Sequence, residues 1–362
     1  ICRRSCINRH CYSIESVNLM KKETITLLIN GKKQRARRFW LVTLFLGIGA
    51  LFLCCAMLMM GNTIYPPEII LRALLGEEIQ GASYAVNTIR FPRMLSGLFA
   101  GFAFGLAGSV FQTMLRNPLA NPNIIGITSG SSAGAVACIV LLHTSSTTVY
   151  LVSIAAGLGT TLVMFALAKG RRFSTSKLIL IGIGVQAMLN AVVSYILEAG
   201  AEQDIATAMR WLSGSLNGVR LSELYLLLAA VLITTPVILV FSRQLAMLEL
   251  GEEWAAGLGV SPDRVRFILM TGSVLLIATA TAATGPIAFV SFLAGPIAKR
   301  LTGHGTASPL ASGLFGAVLV LLSDLVGQFA FELRFPVGVI TGILGAPYLL
   351  FLLVRMNKSG EL

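Results

Sequence analysis

The sequence predicts an all-α membrane protein that crosses the bilayer about ten times. Of its 362 residues, 55% are hydrophobic and only 12% are charged, whereas about a quarter of the residues of an ordinary soluble domain carry a charge. Its apolar runs are about 18 to 22 residues long, which matches the length that a helix needs to cross the hydrocarbon core. Because lipid offers no partners for backbone hydrogen bonds, segments of this length favour helices.

Ten candidate spans follow one another along the chain, and the eighth is short. Their ranges are 39–60, 94–115, 124–142, 149–168, 178–197, 222–241, 266–284, 286–298, 309–328 and 337–354. We expect residues 39–356 to form one membrane domain that ends in a short tail, 357–362.

The polar, basic segment 1–38 differs from the rest of the chain, and we expect it to be a disordered extension. Met20 could open a reading frame of its own, so we expect residues 1–19 to lie before the natural start. Cysteines and one histidine occur there, namely Cys2, Cys6, His10 and Cys11. Their irregular spacing matches no zinc or cluster pattern, and no metal site is predicted.

The distribution of Lys and Arg predicts that both termini lie in the cytoplasm. If the basic segment from Lys21 to Arg38 is cytoplasmic, most other Lys and Arg residues also fall on that side. The arginines left outside are Arg72, Arg90, Arg93, Arg210, Arg220 and Arg334. The net charge of +12 therefore reflects membrane topology, and it gives no support to a nucleic-acid partner.

Charged residues are almost absent from the centres of the spans. Asp324 is the exception, and we interpret it as a helix-end carboxylate bonded to neighbouring hydroxyl or backbone groups. An ion-coupled carrier, which remains an alternative, would need such a carboxylate as part of its relay. The chain has no G-x-x-x-x-G-K-[ST] motif for nucleotide phosphates. If transport is active and not ion-coupled, another polypeptide must supply the energy.

The stretch "MLRNPLANPNIIGITSGSSAGA", residues 114–135, interrupts the helical pattern between two spans. Its prolines cannot continue a helix, and its asparagines can bond to the freed backbone groups. Irregular backbone at membrane depth is tolerated where it is buried in protein or lines an aqueous cavity. We therefore predict that it forms the cytoplasmic end of a translocation path; the alternative is a turn without substrate contact. The predicted path residues are Gln112, Asn117, Pro118, Asn121, Pro122 and Gly126.

One cytoplasmic loop is amphipathic and about 25 residues long, "SRQLAMLELGEEWAAGLGVSPDRVR", residues 242–266. Its pattern predicts two short surface helices, followed by a turn at Gly257 and Gly259. Small residues beside Glu252 and Glu253 would let another protein approach closely. A solvated connector is the alternative interpretation.

Several motifs in order resemble the FecCD family of iron-siderophore and vitamin B12 ABC importer permeases. The first is "RFPRMLSGLFAGFAFGLAGSVFQTMLRNPLANPNIIGITSGSSAGA", from residue 90. Three further motifs follow in the order seen in the family: "LELGEEWAAGLGV", "GPIAFVSFLAGPIAKRL" and "FPVGVITGILGAPYLL". The resemblance covers residues from about 40 to 356, and the combination of spaced motifs makes it specific.

The resemblance implies a bundle like the vitamin B12 importer permease, in a bacterial plasma membrane. It implies a non-catalytic subunit that pairs with a second permease subunit, identical or related, and with two cytoplasmic ATPase subunits. Those ATPases would use ATP and Mg²⁺, so no cofactor is expected on this chain. Spans 94–115 and 178–197 would line the cavity.

Two sets of contact residues also follow from the resemblance. An extracytoplasmic substrate-binding protein would dock onto arginines through its acidic residues. The predicted docking residues are Arg90, Arg93 and Arg334. The ATPase would contact the loop at Leu250, Gly251, Glu252, Glu253, Ala255, Ala256, Gly257, Leu258 and Gly259.

One motif departs from the family pattern, which usually reads F-V-G-L-x-x-P-H-x-x-R. Here Ser291 replaces the glycine, Gly295 and Pro296 stand at the Pro-His positions, and Lys299 stands at the arginine. The pattern is closer to siderophore members without that histidine. We therefore expect a ferric siderophore as substrate, with heme and cobalamin as alternatives.

Overall fold

The computed structural model describes the backbone of residues 2–168, 175–303 and 308–359, and their side chains except at 2–28, 124, 175–176 and 356–359. Helices make up most of these ranges. The α-helices are α1 (Cys2–Met59), α2 (Pro67–Leu74), α3 (Ala82–Tyr84), α4 (Phe91–Met114), α5 (Ile127–Val136), α6 (Ser146–Ala168), α7 (Thr175–Glu198), α8 (Glu202–Leu212), α9 (Leu221–Val240), α10 (Ser242–Leu250), α11 (Glu252–Gly257), α12 (Pro262–Thr284), α13 (Val290–Thr302), α14 (Pro309–Phe329) and α15 (Val337–Ser359). Two π-helical segments, Ala85–Arg90 and Ala137–Leu141, extend α4 at its start and α5 at its end.

The predicted all-α bundle is confirmed, and each of the ten predicted ranges overlaps a helix, in the expected order. Among the described residues, eight helices are long and apolar enough to cross a membrane. They are Ile29–Met59, Ala82–Met114, Ser146–Ala168, Lys177–Glu198, Leu221–Val240, Pro262–Thr284, Pro309–Phe329 and Val337–Arg355. The third and eighth predicted spans correspond to the shorter helices Ile127–Leu141 and α13.

Helix α4 is the buried centre of the bundle and packs against α12, α13 and α14. Glycines on α4 make these contacts close. A Cβ atom at Gly105 would collide with the Ser312 carbonyl oxygen of α14, and one at Gly108 would collide with the Ser291 carbonyl oxygen of α13. Small residues at such positions are how helices in lipid approach each other. Of the two spans predicted to line the cavity, 94–115 is therefore mainly core.

The polar N-terminal segment is helical where we expected disorder, since α1 extends back to Cys2. Extending an existing apolar helix adds residues without a new nucleation step, which explains the continuation. The side chains of Cys2, Cys6, His10 and Cys11 lie outside the described residues. Lys169, Arg171 and Arg172, between the predicted spans 149–168 and 178–197, also lie outside the described residues, as do residues 360–362 of the tail.

The orientation of α4 defines two ends of the bundle. Arg93 lies in its first turn and Arg116 lies two residues after its end, and its 24 residues span about 36 Å. We call these the Arg93 end and the Arg116 end. The break at residues 115–126 and the loop of α10 and α11 both lie at the Arg116 end.

Candidate functional site

The interrupted segment after α4 has the backbone chemistry that its sequence predicts. The Leu119 amide donates to Asn117 Oδ1 at 2.8 Å, and the Asn123 amide donates to Asn121 Oδ1 at 3.1 Å. A 3₁₀ turn, Pro122–Ile125, then leads into Gly126. Gly126 has φ 66°, a left-handed conformation that suits glycine, and α5 begins at the next residue.

Three of the predicted path residues lie together at the Arg116 end. Gln112, Asn117 and Pro118 line a cavity of about 350 Å³ with Glu249 and Lys299. Gln112 is 6% exposed, and its Nε2 donates to the Phe292 carbonyl of α13 at 2.9 Å. This cavity therefore lies between the end of α4, the end of α13 and the loop that carries α10.

The other three predicted path residues do not line that cavity. Pro122 and Gly126 are buried, and Asn121 is half-buried. A Cβ atom at Gly126 would meet side chains of α6 and α7, including Met164 and Val185. These residues set the direction in which α5 begins. A path role for all six together stays a prediction.

A second groove of about 380 Å³, lined by both polar and apolar side chains, runs between α5 and α7. Gln186, Asn190 and Ser194 contribute from α7, at four-residue spacing and therefore on one helix face. The facing side chains are Asn123, Thr128, Ser129 and Ser132. The prediction that span 178–197 lines a cavity agrees with this groove. The three polar side chains of α7 are not among the site residues predicted from the sequence. Their four-residue spacing within an apolar helix would indicate a shared polar face.

The loop predicted to contact an ATPase forms the two short helices that its sequence indicates, α10 and α11. Gly251 joins them with φ 131° and ψ 150°, a backbone conformation that is essentially restricted to glycine. Gly259, with φ 83°, turns the chain before α12. Leu250, Trp254 and Leu258 are exposed. The loop thus presents apolar side chains away from the bundle.

Three contacts attach this loop to three different helices. Arg116 Nε, just after α4, donates to the Leu248 carbonyl at 3.1 Å. Lys299 Nζ of α13 pairs with Glu249 Oε1 at 2.7 Å. On α12, Arg266 Nη2 lies 2.6 Å from Glu252 Oε1. Between the loop and the end of α4 lies a cavity of about 460 Å³, lined by Arg116, Glu253 and Trp254 among others. A displacement of the loop would therefore act on α4, α12 and α13.

At the opposite end, two of the predicted docking arginines are engaged within the protein. Arg93 donates from Nε and Nη2 to the two carboxylate oxygens of Asp324, each at 2.8 Å, and its Nη1 contacts Asn217. Asp324 is 2% exposed and also accepts from Gln328. We expected Asp324 to bond to hydroxyl or backbone groups, and its main partner is instead an arginine.

Arg90 is also occupied, because three backbone carbonyls accept hydrogen bonds from its guanidinium group. These carbonyls belong to Leu58, Met59 and Thr63, at 2.7 to 2.9 Å. The guanidinium carbon also lies 4.9 Å from the centre of the Tyr65 ring. Arg90 therefore closes the turn between α1 and α2, and a docking role for it stays a prediction.

Arg334 is the most accessible of the three arginines. It is exposed, and its Nη2 donates to Asn62 Oδ1 at 2.6 Å. It lines a cavity of about 780 Å³ with His143, Asp204, Arg210 and Glu223. Within that cavity His143 Nδ1 lies 3.4 Å from Asp204 Oδ2. The sequence did not indicate this cavity, because its walls come from four separate parts of the chain.

Comparison with known proteins places these features in one family. The model of the FecCD transport family matches residues 49–355. The ferric enterobactin transport system permease protein FepG of Escherichia coli (strain K12) is 35% identical over 299 residues, which is 80% of this chain and 88% of that protein. The achromobactin transport system permease protein CbrC of Dickeya dadantii (strain 3937) is 36% identical over 83% of this chain and 88% of its own length.

Two further matches extend the comparison to another substrate and to a solved structure. The cobalamin import system permease protein BtuC of Halobacterium salinarum is 34% identical, with 75% of this chain and 74% of that protein covered. A solved metal-chelate type ABC transporter in an inward-facing conformation is 27% identical, with a TM-score of 0.77 over 87% of this chain and 99% of that one. The chain is therefore a multi-span membrane protein that belongs to the FecCD transport family.

Proposed function

We propose that this chain is the permease subunit of an ABC importer that carries a ferric siderophore, or a similar iron chelate, into the cytoplasm. It would work with a second permease subunit, identical or related, and with two cytoplasmic ATPase subunits. An extracytoplasmic binding protein would deliver the chelate. The chain itself would be non-catalytic and bind no cofactor, while ATP and Mg²⁺ would be used by the ATPases.

The observation that carries this proposal is the attachment of the α10–α11 loop to three membrane helices. Bonds from Arg116, Lys299 and Arg266 reach the loop within the short stretch from Leu248 to Glu252. A partner that pushed on the loop would therefore move α4, α13 and α12 together. This is the arrangement that an importer needs when its energy comes from a separate ATPase.

The choice of an iron chelate is supported by the relatives and by the uncharged polar side chains in the groove between α5 and α7. FepG and CbrC are named for ferric enterobactin and achromobactin, and the relative BtuC for cobalamin. The groove between α5 and α7 offers amide and hydroxyl groups such as Gln186, Asn190 and Thr128. Uncharged side chains suit a bulky chelate that must be released on the other side. Heme and cobalamin remain the alternative substrates.

The orientation that we propose has the Arg116 end in the cytoplasm of a bacterial cell and both termini on that side. Lys32, Lys33 and Arg35 precede the predicted span 39–60 at this end and are exposed, as expected for cytoplasmic flanks. The second permease subunit would cover α7, most of whose side chains are exposed. Arg334, with Arg90 and Arg93 nearby in the outer turns, would meet the binding protein.

An ion-coupled secondary carrier is the competing function, and Asp324 is the residue on which it would depend. A carboxylate relay must gain and lose a proton during transport. In this structure both carboxylate oxygens of Asp324 accept hydrogen bonds from Arg93, and one of them also accepts from Gln328. The importer interpretation needs no change in that ion pair.

Uptake into proteoliposomes tests the proposal. The chain would be reconstituted with its ATPase and binding protein, and uptake of ⁵⁵Fe-labelled ferric enterobactin, ferric citrate and radiolabelled cobalamin would be measured. We expect uptake of an iron chelate that requires internal ATP and disappears when the ATPase is omitted. Uptake that ran without ATP and followed a proton or sodium gradient would contradict the importer function. ATP-driven uptake of cobalamin alone would correct the substrate.

A further inference from the structure

One ion pair joins the coupling loop, the segment of α10 and α11, to the short helix α13. Glu249 lies in the last turn of α10 and Lys299 in the last turn of α13, and Nζ and Oε1 are 2.7 Å apart. The two side chains are 27% and 41% exposed, respectively. Glu249 and Lys299 are 50 residues apart in sequence, so no short connection of the chain holds α10 against α13.

Among the described residues, Lys299 is the group that compensates the Glu249 carboxylate, and it reaches one oxygen of that carboxylate. Oε2 is buried and has no hydrogen-bond partner in the part of the chain that the structure describes. The preceding residue, Leu248, is held by Arg116 through its carbonyl. Adjacent residues of the loop are therefore bound to two different helices, α4 and α13.

Helix α13 is also held near its first turn, by a different group. Gln112 of α4 donates to the Phe292 carbonyl, and Gly295 passes so close to Gln112 that a Cβ atom there would overlap its Oε1. The start of α13 is thus fixed against α4. Its end is bound to the loop through Lys299, and both Lys299 and Pro296 line the 350 Å³ cavity.

We infer that the Glu249–Lys299 pair positions the end of α13 according to the position of the coupling loop, and so sets the width of the cavity beside Gln112 and Pro118. This inference rests on the proposed function, because an ATPase must move the loop. Glu249 and Lys299 are positioning residues, since neither is required to touch the substrate. A partly exposed pair contributes little to overall stability, so its loss should affect coupling more than folding.

The test measures chelate transported per ATP hydrolysed in the reconstituted importer. Glu249→Gln and Lys299→Gln should each lower this ratio about two- to fivefold, the change expected from losing a partly exposed ion pair. The double variant should lower it no further than either single variant, because both remove the same interaction. The exchanged pair, Glu249→Lys with Lys299→Glu, should recover most of the ratio.

A matched control is Glu77→Gln, which removes a different surface ion pair. Arg72 Nε and Glu77 Oε2 are also 2.7 Å apart, but this pair joins α2 to the turn that follows it, away from the loop. This variant should leave the ratio unchanged, and melting temperatures of all variants report folding. An unchanged ratio in Glu249→Gln, additive losses in the double variant, or no recovery in the exchanged pair would each overturn the inference. Failure of wild-type ATP-driven uptake would instead contradict the proposed function.

Discussion

Arg93 and Asp324 form a bidentate ion pair that joins the first turn of α4 to the second half of α14. Both nitrogen–oxygen distances are 2.8 Å, and the two side chains are 13% and 2% exposed. Gln328 donates to the same carboxylate. A pair buried to this degree constrains both partners, because either charge alone would be left without compensation.

Removing the carboxylate should destabilise the permease. In Asp324→Asn, Arg93 keeps a mostly buried charge without its partner, and losses of about 3–5 kcal/mol are typical of such changes. We expect a clearly lower melting temperature of the purified permease than in the wild type. A melting temperature equal to that of the wild type would show that the pair is not structurally important.

A double variant separates charge burial from the loss of a specific function. Replacing both residues by apolar ones, Arg93→Met with Asp324→Leu, leaves no buried charge, so its melting temperature should lie above that of Asp324→Asn. If this variant still shows ATP-driven uptake, protonation of Asp324 is not part of the transport cycle. A melting temperature below that of the single variant would contradict the role of uncompensated charge.

Features that depend on nearby residues could be predicted from the sequence. The helical spans follow from apolar length, and the turns around Asn117 and Asn121 follow from the bonding of asparagine to nearby backbone amides. The two helices of the coupling loop were predicted in the same way. In each case the interacting groups are close in sequence, so the local sequence pattern is enough to predict the structure.

Features that depend on distant residues could not be predicted. Arg93 and Asp324 are 231 positions apart, and no periodicity indicates that they meet. The sequence suggests that Arg90 is accessible. It does not show that the turn after α1 places backbone carbonyl groups against the Arg90 guanidinium. For the same reason the burial of α4 was missed: its glycines indicate close packing, but not which helices pack there.

The close packing of α4 against α14 makes a prediction about Gly105. In Gly105→Ala the new methyl group would collide with the Ser312 carbonyl oxygen, which can move only if α14 moves. Overpacking of this kind costs about 1–3 kcal/mol, and we expect a lower melting temperature. The matched control is Gly159→Ala on α6, where a Cβ atom meets nothing within 4 Å. Equal melting temperatures for the two variants would contradict the packing argument.

Gly251 should be essential to the shape of the coupling loop. Its φ of 131° and ψ of 150° lie in a region where a side chain costs on the order of 1–3 kcal/mol. Gly251→Ala should therefore shift α11 relative to α10, which we expect to lower ATP-driven uptake and to increase proteolytic cleavage within residues 242–261. Gly342→Ala, in open space on α15, is the control. If Gly251→Ala showed the same uptake and the same cleavage as the wild type, the loop would not require glycine at this position.

The groove between α5 and α7 makes the most direct prediction about the path of the chelate. Asn190 is exposed and lines this groove with Gln186 and Ser194, so Asn190→Trp would fill part of its 380 Å³ with an indole ring. Because the coupling loop is unchanged, we expect ATP hydrolysis to continue while uptake falls to the level measured without ATP. Leu162→Trp, an exposed position on α6 outside the groove, should leave uptake near the wild-type value. If both tryptophan variants transported equally well, the chelate would have to cross elsewhere, and the polar face of α7 would serve only to pack against the second subunit.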